Sequence, residues 1–223
     1  MAGCLPYVPT AEAAFIGGVS APQMNRLVDE ELVPSALLAL DGGGRRFARL
    51  AAAFARFFFD TEPILVASAR KKVLAELTAR VERLPARDRV LALQLMPREF
   101  DWKFVDVRLG VAVDVSSFVS EAMARARDVD NADKLVAEDA EVLGGIPCFA
   151  GTRVPIDHVL GSLDKGLAFE RLVASWPFLT EAHVDAARVY AQVHPRRGRP
   201  RGAAGGKPPV VRKVSRIASP AST

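Results

Sequence analysis

Apolar and polar residues follow a helical spacing near the start of the sequence. The stretch 10–16 predicts a short helix, since Thr10 is a favourable capping residue and Glu12 places a carboxylate in the first turn. Gly17 and Gly18 are expected to end this helix, because glycine is a poor helix former.

A second helix is predicted from Ser20 onward, where Ser20 and Gln23 have the spacing of a capping box. Its inward stripe consists of Met24, Leu27 and Val28. The polar residues near the start of this helix and off the stripe are the predicted contacts with DNA bases, namely Gln23, Asn25 and Arg26.

A hairpin is predicted after the second helix. The apolar segment 35–40 is followed by Asp41 and three glycines, which is typical of a turn between two short strands. Arg45 and Arg46 come directly after this turn, where the wing of a winged helix-turn-helix contacts phosphates, and both are predicted to bind DNA.

The middle of the chain is predicted to be helical. Residues 50–84 are rich in Ala, Leu, Arg and Glu, and Pro63 is expected to start a new helix. Packing on the core of the same chain and packing on a second subunit are both open for its apolar stripe, which consists of Val66, Val73, Leu77, Val81 and Leu84.

Shorter elements are predicted beyond this region. A short helix lies between Pro85 and Pro97, two strands over 102–107 and 111–115 turn near Gly110, and a helix follows from 117 to 127.

Glycine and proline interrupt the apolar run 143–156, LGGIPCFAGTRVPI, so this run cannot be one helix. It predicts a tight strand pair or a bent strand with its turn at 151–153, and Pro155 is expected to open a helix. Two further short helices are predicted, over 169–176 and after the capping residue Thr180.

Charge is distributed unevenly along the chain. The 223 residues carry a formal net charge of +4, but residues 194–223 contain eight Lys and Arg and neither Asp nor Glu. The other residues carry 22 Lys and Arg against 26 Asp and Glu, so the body is mildly acidic. The prolines and glycines of this tail predict that it forms no core of its own. We expect it to bind a negatively charged partner, with a merely solubilising tail as the alternative.

Composition argues against several classes of protein. No apolar run of membrane-spanning length is free of charge, and the first residues lack the features of a signal peptide, so a cytoplasmic protein without membrane contact is expected. Two cysteines and three scattered histidines predict neither a disulfide framework nor a metal site, and no cofactor is predicted. The sequence has no recognisable catalytic motif or constellation, so the chain is not expected to be an enzyme.

The first fifty residues resemble the N-terminal half of the MerR-type winged-helix fold. The resemblance rests on Val19-Ser20 before the predicted recognition helix, on the LVP of 32–34 after it, and on the GGRRF of 43–47. Asn25-Arg26 stands where that family usually has an Arg-Tyr pair. The resemblance implies DNA binding, and dimerisation through a helix in the middle region. A small helical core without DNA contact is the alternative for this segment.

The C-terminal part resembles a small domain of unknown function found in VapB-type antitoxins. The shared pattern is GGIPCFAGTRVPI, then Gly166-Leu167, then WPFLTEAHVDAARVYAQVHP, although Trp176 replaces the usual Tyr and Phe149-Ala150 stands where a basic residue is frequent. The resemblance implies an antitoxin of a type II toxin-antitoxin system. Such a protein dimerises, represses its own promoter and neutralises a co-encoded VapC-like ribonuclease with a PIN domain.

The basic tail suits such a nuclease. PIN-type nucleases hold catalytic metal with clustered carboxylates, and the planar guanidinium of Arg can pair with a carboxylate through two hydrogen bonds. The predicted toxin-binding residues are Arg196, Arg197, Arg199, Arg201, Arg212, Lys213 and Arg216. Residues 197–200, RGRP, also match the core of an AT-hook-like element, so binding of the tail in a DNA minor groove is the alternative.

These patterns predict a mainly α protein with small β elements. The predicted domains are a winged helix-turn-helix over 1–60, a helical connector and dimerisation region over 61–100, an antitoxin-type domain with a short hairpin and three helices over 101–194, and an extended basic tail over 195–223. A MerR-like transcription regulator without a toxin partner is the alternative function, and a passive scaffold is a third.

Overall fold

The computed structural model describes residues 7–41, 44–108 and 110–195. The helices of this part of the chain are α1 Thr10–Gly17, α2 Ala21–Asp29, α3 Arg49–Asp60, α4 Ala67–Glu82, α5 Arg87–Leu91, α6 Ser116–Leu135, α7 Ile156–Asp164, α8 Phe169–Ser175 and α9 Glu181–Val193. The strands are β1 Tyr7–Pro9, β2 Leu38–Asp41, β3 Gly44–Ala48, β4 Lys103–Asp106, β5 Val111–Asp114, β6 Val136–Ala137 and β7 Cys148–Phe149. The predicted fold class, mainly α with small β elements, is confirmed, and all three sheets are antiparallel.

The predicted capping box at the start of α2 is confirmed. The Ser20 backbone N–H donates to Gln23 Oε1 at 2.8 Å, and the Gln23 backbone N–H donates to Ser20 Oγ at 3.3 Å. The predicted cap of α1 was wrong by one residue, because the helix starts at Thr10 and Pro9 is the extended residue before it. Pro9 is extended because it ends strand β1, which the sequence did not predict.

The predicted hairpin forms strands β2 and β3, and β1 adds a third strand on the other side of β3. Val8 and Leu38 both lie opposite Phe47, whose side chain is fully buried. The central strand of this small sheet therefore carries an anchor of the core.

The larger of two hydrophobic cores surrounds α3. Val73, Leu77 and Val81 of α4 are buried in it, whereas Val66 is 70% exposed. The apolar stripe of the middle region thus packs mainly on the core of its own chain. A subunit contact through these three residues is not possible without opening that core.

Helix α6 continues to Leu135, beyond the predicted end at residue 127. Residues 128–135 are mostly polar and include Asp and Asn, which have low helix propensity. The helix continues because Val129 is buried in the larger core and Ala132 in the smaller one. Packing on two cores therefore overrides local propensity.

The run 143–156 folds back on itself at a tight turn, with an antiparallel bridge between Cys148 and Pro155, so it forms the strand pair of the two predicted alternatives. Strand β7 pairs with β6, and the Phe149 backbone N–H donates to the carbonyl of Val154 at 3.1 Å. Gly151 has a φ of +72°, which favours glycine, and Thr152 Oγ1 donates to the carbonyl of Phe149 at 2.8 Å. Pro155 precedes α7 as its capping residue and is not its first helical residue.

The smaller core is formed by the end of α6, β6, β7 and helices α7 to α9. Helix α9 packs against α6, and its Val193 reaches the larger core. Among the residues that the structure describes, no helix has both the length and the hydropathy needed to cross a membrane.

Candidate nucleic-acid interface

The turn between α1 and α2 fixes the direction of α2. A Cβ on Gly17 would lie 2.6 Å from the carbonyl oxygen of Ala52, so only glycine allows α1 to approach α3 this closely. Arg56 Nη1 donates to the carbonyl of Gly18 at 2.9 Å, and Arg125 Nη1 donates to the carbonyl of Ile16 at 3.2 Å. Helices α3 and α6 therefore hold the carbonyls at the end of α1 through long arginine side chains.

Helix α2 buries Met24 and Leu27 completely and turns its polar residues outward. Asn25 is half-buried and Arg26 is exposed. Gln23 Oε1 accepts from both the backbone N–H and the hydroxyl of Ser20, so this oxygen caps the helix. The predicted contact of Gln23 with a base would have to compete with this capping role.

Arg45 ties the hairpin to α2. Its Nη2 donates to Asp29 Oδ1 at 2.6 Å, and its Nη1 donates to the carbonyl of Asn25 at 3.3 Å. The structure thus brings Asn25, Arg26 and Arg45 together on one surface. Because successive residues of a strand point to opposite faces, Arg46 lies on the other face of the sheet.

Carboxylates at the C-terminal end of α2 pair with two of these arginines. Arg26 Nε donates to Glu30 Oε1 at 2.7 Å and Nη2 donates to Glu30 Oε2 at 3.2 Å. This contact with Arg26 lowers the pKa of the Glu30 carboxyl below its ordinary value. A phosphate would therefore compete with Glu30 for Arg26 and with Asp29 for Arg45.

Lys71 joins this surface from α4, and sequence reasoning did not find it. Its Nζ donates to the backbone carbonyl of Glu30 at 3.0 Å. The two residues are 41 positions apart, and no sequence pattern links them. We call the surface formed by Asn25, Arg26, Arg45 and Lys71 the α2 surface.

The predicted toxin-binding residues Arg196, Arg197, Arg199, Arg201, Arg212, Lys213 and Arg216 lie outside the residues that the structure describes. The described chain ends just after α9, where the His194 imidazole lies 3.6 Å from an Asp133 carboxylate oxygen and Pro195 follows. Arg153 is exposed at the turn of the run 143–156.

Comparison with known proteins gives a family and a relative. Residues 136–191, from β6 into α9, match the family DUF433, described as a protein of unknown function. Over 191 residues the chain is 32% identical to "Uncharacterized protein y4eO" of Sinorhizobium fredii (strain NBRC 101917 / NGR234), a match that covers 86% of this chain and 83% of that protein. No solved structure matches the chain.

Proposed function

The chain belongs to the same protein family as y4eO of Sinorhizobium fredii, and from this premise we propose that it is the antitoxin of a type II toxin-antitoxin pair. In this proposal the folded body binds its own promoter DNA as a homodimeric autorepressor. The basic tail neutralises a co-encoded VapC-like ribonuclease with a PIN domain. Both partners place the protein in the cytoplasm.

The distribution of charge carries the proposal. Eight Lys and Arg without any Asp or Glu follow directly on a folded body in which acidic residues outnumber basic ones. Six of the eight are Arg, whose planar guanidinium can pair with a metal-binding carboxylate through two hydrogen bonds. Such pairing would displace the catalytic metal of a PIN-type nuclease.

Two further observations support the proposal. The DUF433 match covers the same segment on which the resemblance to VapB-type antitoxins rests. Val193 is the last described residue that either core buries, and the basic segment follows it directly in the sequence. A folded body followed by a cationic segment suits a protein that binds the acidic site of a partner.

The test is co-expression of the chain with its genomic neighbour. We expect the full chain to co-purify with the neighbouring nuclease and to inhibit it, and a chain that ends at Pro195 to lose both properties. The same truncated chain should still shift its own upstream DNA in an electrophoretic assay, which controls for folding. Inhibition that survives the truncation would refute the role of the tail.

The α2 surface also supports a second function, because it does not depend on the tail. A MerR-like transcription regulator without a toxin would use Asn25, Arg26 and Arg45 in the same way. This function is favoured if the chain shifts its upstream DNA and the neighbouring gene product is not captured.

A further inference from the structure

A groove lies beside the end of the described chain. The segment 144–147, helix α7 and the end of α9 border an open groove of about 1130 Å³, and Pro195 lines it. This volume exceeds that of a typical small-molecule pocket, roughly 300–1,000 Å³. Apolar side chains of Ile146, Leu160 and Tyr190 are part of its lining. The groove is thus large enough for a peptide segment.

Gly161 in the wall of the groove is not needed by the fold. It lies in the interior of α7, where glycine costs about 0.5–1 kcal/mol relative to alanine. A Cβ at this position would meet no other atom within 4 Å. The missing side chain leaves the helix backbone open to the groove, which suits an occupant that packs closely on α7.

Charge indicates what such an occupant would be. Three carboxylates line the groove, from Glu138, Asp157 and Asp164, together with Lys165, His158 and His194. The Asp133 carboxylate lies 3.6 Å from the His194 imidazole and compensates for its positive charge. Asp139 and Glu141 add negative charge on the segment that follows Glu138. An occupant with several positive charges therefore fits this groove better than an acidic one.

We propose that residues 196–201 of this chain, RRGRPR, dock in the groove. Arg196 follows Pro195, which already lines the groove, and six extended residues reach about 20 Å. Four of the six residues are Arg, which complement the carboxylates of the groove. The proposed function assigns the same arginines to the toxin. While they are docked in the groove they cannot bind the toxin, so groove and toxin compete for them. The docking itself does not depend on a toxin.

The test is the rate at which trypsin cleaves the full chain after Arg196 and Arg197. We expect cleavage about tenfold slower than in a synthetic peptide of residues 193–223, because cleavage follows the population of the undocked segment. Gly161→Leu places a side chain in the groove where the occupant packs on α7, and it should raise the rate to that of the peptide. Leucine also favours helix more than glycine does, so the melting temperature should not fall.

A second variant tests charge independently of volume. Glu138→Lys/Asp164→Lys should also remove the protection from trypsin, and circular dichroism verifies its fold. The matched control Glu170→Lys/Glu181→Lys makes the same change of charge on exposed residues outside the groove and should keep the protection.

Two outcomes overturn the docking. One is a full chain that is cleaved as fast as the peptide, with no effect of either groove variant. The other is protection that disappears on dilution, since a second copy would then supply the occupant. A chain that shows docking but captures no nuclease contradicts the proposed function alone, so the two failures can be distinguished.

Discussion

Arg49 lies where α1, α3 and α6 meet, and its side chain is 5% exposed. Its Nε and Nη2 donate to Glu12 Oε1 at 3.0 and 2.8 Å, and its Nη1 donates to Asp130 Oδ1 at 2.7 Å. Burial raises the pKa of the Glu12 carboxyl above its ordinary value, although the nearby guanidinium opposes this shift. The guanidinium compensates for the negative charge of Glu12, and the two carboxylates compensate for the burial of Arg49.

Arg49→Ala should therefore destabilise the fold strongly. Removing one partner of a buried ion pair costs about 3–5 kcal/mol, because it leaves Glu12 buried without its cation. Urea unfolding measures this loss, and Arg49→Met/Glu12→Leu should recover much of it. Arg188→Ala, which removes an exposed pair with Asp185, should cost less than about 1 kcal/mol. Equal costs for Arg49→Ala and Arg188→Ala would contradict this interpretation.

His194 should make stability depend on pH. The Asp133 carboxylate, 3.6 Å from Nε2, raises the pKa of the imidazole above the ordinary value of 6.5. A raised pKa in the folded state contributes stability that is complete below pH 6.5 and is lost as the pH rises through the folded pKa. Over that interval the melting temperature of the wild type should fall more than that of His194→Gln.

Asp133→Asn should abolish the same pH dependence as His194→Gln, because either change removes the pair. His158→Gln is the control and should behave like the wild type. If His194→Gln keeps the full pH dependence of the wild type, another group is responsible.

At the scale of secondary structure elements, two glycines in helices have opposite roles. Gly17 ends α1 against the backbone of α3, where a Cβ would lie 2.6 Å from the Ala52 oxygen. Gly161 lies inside α7 with nothing within 4 Å of the same atom. The neighbouring element differs, because the backbone of α3 lies against Gly17 and no atom of the described residues lies against Gly161.

The same substitution should therefore change stability in opposite directions. Gly17→Ala should cost about 1–3 kcal/mol, because α1 must move away from α3. Gly161→Ala should stabilise by about 0.5–1 kcal/mol, since alanine is the better helix former. Thermal and urea unfolding of the two variants measure both signs. Two changes of the same sign would contradict the opposite roles of these glycines.

Carboxylates at the C-terminal end of α2 should restrain DNA binding by the α2 surface. Asp29→Asn and Glu30→Gln each free one arginine, Arg45 or Arg26, from its ion pair. We expect each variant to bind upstream DNA more tightly. The slope of the logarithm of the binding constant against the logarithm of the salt concentration should be steeper by about one for each additional phosphate that the protein binds. Glu82→Gln removes one negative charge in the same way from an exposed residue of α4 outside this surface, and it should leave affinity unchanged. Unchanged salt slopes in both variants would argue against phosphate binding by these arginines.

At the scale of the whole molecule, α6 and α9 join the two cores. Helix α6 contributes Ala126 and Val129 to the larger core and Ala132 to the smaller one. Helix α9 contributes Ala187 to the smaller core and Val193 to the larger. The segment that matches DUF433 therefore packs against α6, a helix that precedes the match.

The two cores should consequently unfold together. The chain has two Trp: Trp102 is buried in the larger core, and Trp176 packs against the smaller one. In Trp176→Phe the fluorescence reports on the larger core, and in Trp102→Phe on the smaller core. In each variant the urea midpoint by fluorescence should equal the midpoint by circular dichroism. Separate midpoints would show that the cores unfold independently.

Local features could be predicted from the sequence because their signals act over a few residues. The capping box of Ser20 and Gln23 and the turn at Gly151 depend on hydrogen bonds and backbone angles within four positions. The mainly α class with small strands follows from the same local signals. Three-residue β1 escaped prediction because it is too short for an alternating pattern.

The tertiary structure alone decided which surfaces these elements form. Arg49 meets Glu12 across 37 positions and Arg125 meets Ile16 across 109, separations over which no local pattern carries information. Packing likewise decided that the stripe of α4 is buried in its own chain and that α6 continues past its polar segment. Local signals in the sequence set most helices, the capping box of α2 and the basic tail, because propensity, capping and charge act over a few residues. Only the packing of helices decided where the arginines, the α2 surface and the groove lie.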